Sequence, residues 1–214
     1  MAKLKRIYFA NSSKMFEGES GKRLQIEAMR HNIIIGDEVN ISDYVTIMDS
    51  VTIGYASTIG GYSKILNNST LGSRTALSHN VAIGYDVTIG DNVTISAYST
   101  IGYDATLGNN ITIGYDSTIG NNVIIADNIT ILERAVIEDG WEIKNIIHLM
   151  NEYKYNISGY IIKGVIIIQM GCYTRTLEEW ELDFWNNDRE FKRGTPEGEE
   201  RLRAFNKIKK IMKG

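Results

Sequence analysis

Aliphatic residues recur at every sixth position through the middle of the chain. The series begins at Ile35 and runs through Ile41, Ile47, Ile53, Ile59, Ile65, Leu71, Leu77, Ile83, Ile89, Ile95, Ile101, Leu107, Ile113, Ile119, Ile125 and Ile131 to Ile137, without one insertion. The residue after each aliphatic is usually small, as at Gly36, Ser42, Gly54, Gly72, Gly90 and Gly108. The fifth position of each hexad is small or β-branched, as at Val45, Ser57, Thr75, Val93 and Val123. A period of six is neither the 3.6 of a helix nor the two of a half-buried strand, and a heptad drifts out of phase within two turns. It suits a short strand, a bend and another short strand, with the aliphatic inward, the fifth position packed beside it, and Gly or Ser permitting a tight corner. Three hexads then close one triangular coil. Coils stack at the ~4.8 Å spacing of neighbouring strands, so nearly six coils build a prism roughly 28 Å tall.

A prism of this kind needs caps at its ends. Residues 1–34 supply one, in which "GKRLQIEAMRHN" reads as a short helix or an irregular first coil. Residues 35–140 are the prism itself. Residues 141–214 supply a second cap of mixed composition, with "WEIKNIIHLM", "EYKYNISGYII" and "GVIIIQMG" reading as strands. Two helices follow. Thr176 and Glu179 form a capping box before "LEEWELDFW", and Thr195-Pro196 opens a lysine-rich second helix.

The unbroken hexad register over residues 35–140 resembles the hexapeptide-repeat, left-handed parallel β-helix superfamily. The resemblance implies a mainly β protein: a left-handed parallel β-helix of about six coils with a small C-terminal α+β cap. It also implies a homotrimer with ligand clefts between subunits.

Charge narrows the partners. Residues 35–140 carry three basic and twelve acidic side chains, while residues 1–34 carry seven basic and three acidic. An acidic prism argues against nucleic-acid binding along its length, because phosphate neutralisation needs clustered Lys and Arg. The best apolar run, Val165 to Ile168, falls far short of a membrane helix, so no membrane partner is expected. The first residues lack a sustained apolar core, and Cys172 is the single cysteine. Both point to a reducing, cytoplasmic setting, in which the Asn156 sequon is inert. No metal site and no resident cofactor are expected.

If one coil is eighteen residues, residues eighteen apart stack and the sequence becomes a surface map. His79 then lies between Gly61 and Ala97, with Tyr62, Asn80 and Tyr98 alongside. This small recess is the expected ligand site, and a surface corner histidine is the plain alternative. A second corner stacks Tyr85 on Tyr103 as a ring ladder and sets Asp86 over Asp104, an unfavourable pair unless solvent or a partner relieves it. Arg74 lies on the third corner. The Asn-rich turns need no ligand, because Asn and Asp tolerate left-handed backbone. The prism has only Lys64, Arg74 and Arg134 as bases, so a phosphate-bearing ligand needs one of these or Lys163 or Arg175 from the flank.

"LSHNVAIG" resembles the stretch around the catalytic base of sugar acyltransferases in the same superfamily, on His79, Asn80, Val81, Ile83 and Gly84. That resemblance implies His79 as general base toward an acyl-CoA donor. Two features depart from the enzymes: no loop interrupts the hexads, and no carboxylate orienter is evident beside His79. The segment from Val165 to Phe191, with Gly171, Cys172, Arg175, Trp180 and Trp185, resembles a tail module of uncharacterised phage and prophage proteins; the plain reading of both tryptophans is helix-to-sheet packing. Three functions follow. The favoured one is a non-catalytic trimer that captures a small nucleotide-like ligand, in the form of a phage-encoded sponge for a bacterial immune signal. Tyr62, Tyr98, Tyr85 or Tyr103 would stack on the base, Arg74, Arg134 or Arg175 would hold phosphate, and His79 with Asn80 would make contact. The second is an O- or N-acyltransferase using acyl-CoA, and the third a structural phage protein without ligand.

Overall fold

A computed structural model describes residues 5–9, 15–18, 22–149, 157–162, 164–171, 173–185 and 192–213. Cys172, Lys163 and Asn156 lie outside the described residues. The chain divides into two compact units, residues 1–142 and 143–214.

The first unit is a three-walled parallel β-solenoid. One wall runs through Val45–Ile47, Lys64–Ile65, Ala82–Ile83, Thr100–Ile101, Thr118–Ile119 and Val136–Ile137. A second runs from Asn40–Ile41 to Thr130–Ile131 in six strands, which counts six coils. The third begins at Ile34–Ile35 and passes through Thr52–Ile53, Thr70–Leu71, Thr88–Ile89 and Thr106–Leu107 to Ile124–Ile125. The register steps by eighteen residues throughout: Ile65 pairs with Ile83, Ile83 with Ile101, and Leu77 with Ile95. The stacking premise of the surface map therefore holds.

From the hexad of Ile41 to that of Ile131, each buries its aliphatic residue and its fifth position, while the residue before the next aliphatic, often Thr, faces out. Burying an Ile or Leu side chain is worth about 1.5–3 kcal/mol, so the repeated column is the main source of cohesion. Where the fifth position is Ser, its hydroxyl joins coils. Ser63 donates to the Ser78 carbonyl at 3.0 Å and accepts from the Val81 amide at 3.1 Å.

The corners correct one expectation. The turn is not made at the small residue after the aliphatic. Left-handed backbone falls two positions later, at eighteen non-glycine residues spaced by six from Asn32 to Arg134, and then at Gly140. The small residue serves clearance instead: a Cβ on Gly54 would meet the backbone of Gly72 at 2.5 Å in the next coil. Asn and Asp side chains reinforce the same corners. Asp91 Oδ1 accepts from the Ser73 amide at 2.7 Å, and Asn121 Oδ1 from the Tyr103 amide at 3.1 Å.

At its N-terminal end, the strands Lys5–Phe9 and Met15–Gly18 form an antiparallel hairpin, and Lys5–Phe9 pairs in parallel with Val45–Ile47. Helix α1 (Lys22–Met29) leads into the first coil.

The second unit is a four-stranded antiparallel sheet with two helices. The strands are Ile146–Leu149, Ile157–Ile162, Val165–Met170 and Tyr173–Thr176, the last of which the hydrophobic pattern does not announce. Helix α2 (Leu177–Leu182) carries the expected Thr176–Glu179 capping box. Helix α3 (Pro196–Lys213) has Pro at its first position, and Thr195 Oγ1 accepts from the Gly198 amide at 3.2 Å. Trp180 is fully buried and donates from Nε1 to the Ile168 carbonyl at 2.8 Å, within a core that includes Phe184, Phe205 and Ile208. Among the described residues no helix is long and apolar enough to cross a membrane.

Candidate functional site: an aromatic corner of the solenoid

Left-handed backbone costs an ordinary L-residue roughly 1–2 kcal/mol, and Asn and Asp tolerate it best. The corner with Ser50, Asn68, Asp86, Asp104, Asn122 and Gly140 follows that preference almost throughout. The corner with Tyr44, Tyr62, Asn80, Tyr98, Asp116 and Arg134 does not. Here large side chains occupy the costly conformation, and the backbone holds them: the Tyr62 amide donates to the Asp43 carbonyl, Asn80 to Gly61 and Tyr98 to His79, at 3.4, 3.0 and 3.3 Å. Strained backbone that carries bulky groups singles out this corner as the candidate site.

Its rings form a near-continuous array. Tyr44 and Tyr62 stack with centroids 5.0 Å apart. His79 meets Tyr98 edge-on at 5.0 Å, and Tyr98 meets Tyr115 edge-on at 5.6 Å. Tyr62 and Tyr98 are 61% and 50% exposed, whereas Ala97 is buried. Tyr62 and Tyr98 stand two coils apart, with Asn80 between them in the column and His79 beside it. Two coil steps are about 9.6 Å. Three rings in van der Waals contact span about 7–8 Å between their outer planes. A spacing of two coils would thus admit one flat ring between Tyr62 and Tyr98 and not two.

The remaining sequence-predicted residues are dispersed within one chain. Tyr85 and Tyr103 stack at 5.1 Å with planes 2° apart, as the surface map expects, but on a different corner. Asp86 on that corner accepts from Asn68 Nδ2 at 3.0 Å, so a neighbour from the coil below supports its charge. Arg74 stands on the third corner, where its amide donates to the Tyr55 carbonyl. There Tyr55 is held above the usual phenol range by its hydrogen bond to Glu38, and Arg74 opposes that shift. Arg134 shares the aromatic corner but lies two coils beyond Tyr98. Arg175, in the second unit, lies over the Trp180 ring at 5.1 Å and donates to the Asp183 carbonyl at 3.4 Å.

Two features escaped the sequence. His31 Nδ1 lies 3.2 Å from Asp49 Oδ1, and its ring stacks with Phe9 at 6.0 Å. Counting back one coil from Asp49 would have found it. His148 Nδ1 lies 2.7 Å from Ser158 Oγ across two antiparallel strands. Lys64, one of the three bases the sequence offers for phosphate, follows Tyr62 by two residues and stands exposed on the adjoining wall. The His79 imidazole has no hydrogen-bond partner among the described residues. Those residues also contain no group of three or more His, Cys, Asp or Glu able to hold a metal ion.

A family model for the bacterial transferase hexapeptide (six repeats) matches residues 68–103 and 86–121, which include His79 and Tyr98. No curated protein sequence matches the chain. Among solved structures, AntD, an N-acyltransferase from Bacillus cereus in complex with dTDP and coenzyme A, is 16% identical, with a TM-score of 0.51 over 78% of this chain and 97% of that one. A perosamine N-acetyltransferase from Caulobacter crescentus in complex with CoA and GDP-perosamine is 17% identical, with a TM-score of 0.39 over 56% of this chain and 59% of that one. The UDP-N-acetylglucosamine acyltransferase of Campylobacter jejuni is 21% identical, with a TM-score of 0.36 over 51% of this chain and 64% of that one. The chain thus spans about six tenths of the length of these last two, and at such identities the likeness is one of fold. Register, walls and repeat model agree over residues 68–121, and the solenoid is of the hexapeptide-repeat, parallel β-helix kind.

Proposed function

We propose that the protein is a non-catalytic homotrimer that captures a small nucleotide-like ligand at the aromatic corner. One observation carries this reading: Tyr62, Asn80 and Tyr98 follow one another up a single corner on backbone that ordinarily favours Asn, with His79 edge-on to Tyr98, and the coil spacing would leave a notch one ring wide between the two tyrosines. Tyr62 and Tyr98 sandwich a base, and His79 and Asn80 offer hydrogen bonds to its edge or its ribose. The AntD structure, which holds dTDP and coenzyme A, supports a nucleotide-bearing ligand on this architecture. In biological terms the reading is a phage-encoded sponge for a bacterial signalling nucleotide, acting in the cytoplasm.

A second reading is acyl transfer from acyl-CoA with His79 as general base, favoured by the repeat model's match across that residue. A general base is usually oriented through its other ring nitrogen, and no described residue does this for His79. The absence of such an orienter tips the balance toward binding.

The test incubates the protein with acetyl-CoA and a panel of cyclic and ADP-ribose-type nucleotides, following melting temperature and thiol release. A ligand bound only by the folded state raises Tm. A nucleotide-dependent rise lost in Tyr98→Ala, with no thiol release, is expected. Thiol release abolished by His79→Ala establishes the transferase instead.

A further inference from the structure

We infer that Lys64 is the anion-binding residue of the aromatic corner and that it limits the ligand to one phosphate group beside the ring. This rests on the reading of that corner as a nucleotide-like site. Three coils frame the notch, contributing residues 60–66, 78–84 and 96–102, and Lys64 is the only Lys, Arg, Asp or Glu among them. Lys64 follows Tyr62 by two residues, so their Cα atoms lie within about 7 Å. Its wall neighbours one coil below and above are Thr46 and Ala82, neither of which shields it or neutralises it. Among the described residues its ammonium has no ion-pair partner.

The next charges along the corner oppose a longer anion. Asp43 lies one coil below Gly61, and Asp116 one coil above Tyr98. Arg134 lies a further coil away. A base seated between Tyr62 and Tyr98 can place one phosphate against Lys64. A second or third phosphate finds no other Lys or Arg among residues 60–66, 78–84 and 96–102. Tyr85, Tyr103 and Arg74, on the other two corners of the same chain, contribute nothing to this arrangement.

Calorimetric titration of the purified protein with common ribonucleosides and their mono- and triphosphates separates the two levels of the proposal. A monophosphate is expected to bind about tenfold more tightly than its nucleoside, the effect of one charge-assisted hydrogen bond. The triphosphate is expected to bind no more tightly than the monophosphate. Lys64→Met, an exposed substitution whose folding circular dichroism checks, should bring the monophosphate down to the level of its nucleoside and leave nucleoside affinity unchanged. A monophosphate advantage that survives in Lys64→Met overturns the assignment while leaving the corner as the site. A triphosphate that binds more tightly than the monophosphate overturns the one-phosphate limit. Binding of nucleoside and nucleotide alike that persists in Tyr62→Ala, or no binding by any probe, removes the corner as the site and the role of Lys64 with it.

Discussion

The tyrosines of the aromatic corner stand where Asn would be easier to accommodate. Replacing Tyr62 by Asn relieves about 1 kcal/mol of left-handed strain and forfeits about 0.5–1.5 kcal/mol of ring stacking with Tyr44. The two nearly cancel. Tyr62→Asn should therefore unfold within about 1 kcal/mol of the parent protein while losing its Tm response to ligand. A large loss of stability would mean that the ring is part of the fold and not held there for binding. Single residues also show how far the sequence could be read. The stacking of residues eighteen apart followed from the period alone, because no insertion blurs the count. The placement of Gly61 and Ala97 on either side of His79 in its column followed from it too. That Tyr and Arg would share the left-handed corner positions with Asn and Asp did not follow. Glycine is read as a residue of positive φ, yet here Gly54 answers to the backbone of the next coil, and Tyr, Arg and Asn bear the positive φ. The His31–Asp49 pair stayed hidden because the aliphatic series begins at Ile35, one hexad too late to set His31 beneath Asp49.

At the level of strands and coils, buried hydroxyls do what longer strands would otherwise do. Ser63 bridges two coils through the Ser78 carbonyl and the Val81 amide. Ser63→Ala leaves that buried amide without this partner and should lower unfolding free energy by about 1–3 kcal/mol, read from denaturant midpoints at constant slope. In the C-terminal sheet a polar chain links three neighbours. The Tyr160 hydroxyl donates to Gln169 Oε1 at 2.7 Å, and His148 meets Ser158. Burial pushes the Tyr160 phenol up to about 12, and a hydrogen bond from Ser158 partly offsets this. The folded sheet thus prefers the neutral phenol. Its contribution is complete below the ordinary tyrosine value of about 10 and is lost as pH rises through about 12. Alkaline unfolding followed by circular dichroism should be steeper for the parent than for Tyr160→Phe. The capping box of α2 and the helix begun by Thr195-Pro196 were legible in the sequence because each is a local hydrogen-bond pattern. The fourth strand, Tyr173–Thr176, was not, since its sequence has no alternating hydrophobicity and only its neighbour Val165–Met170 makes it a strand.

Taken as a whole, the solenoid is acidic, with its few cations placed apart: Lys64 on one wall, Arg74 and Arg134 on two different corners. A single chain thus cannot gather them around one polyanion. If copies associate as the superfamily resemblance implies, light scattering coupled to size exclusion should give about 72 kDa, three times the 24.1 kDa chain mass. A mass near that of one chain would dispose of the trimer and would leave the aromatic corner to act alone.

The unbroken step of eighteen makes the molecule a screw whose thread is counted in amino acids. Six extra residues inserted at Gly84 would turn every later coil by one wall, carrying Tyr98 away from the corner that Tyr62 occupies. Eighteen extra residues at the same place would return Tyr98 to its corner but lift it one further coil from Tyr62. Neither length preserves the notch, so natural variation in the number of hexads between these two tyrosines is closed to any chain that depends on it.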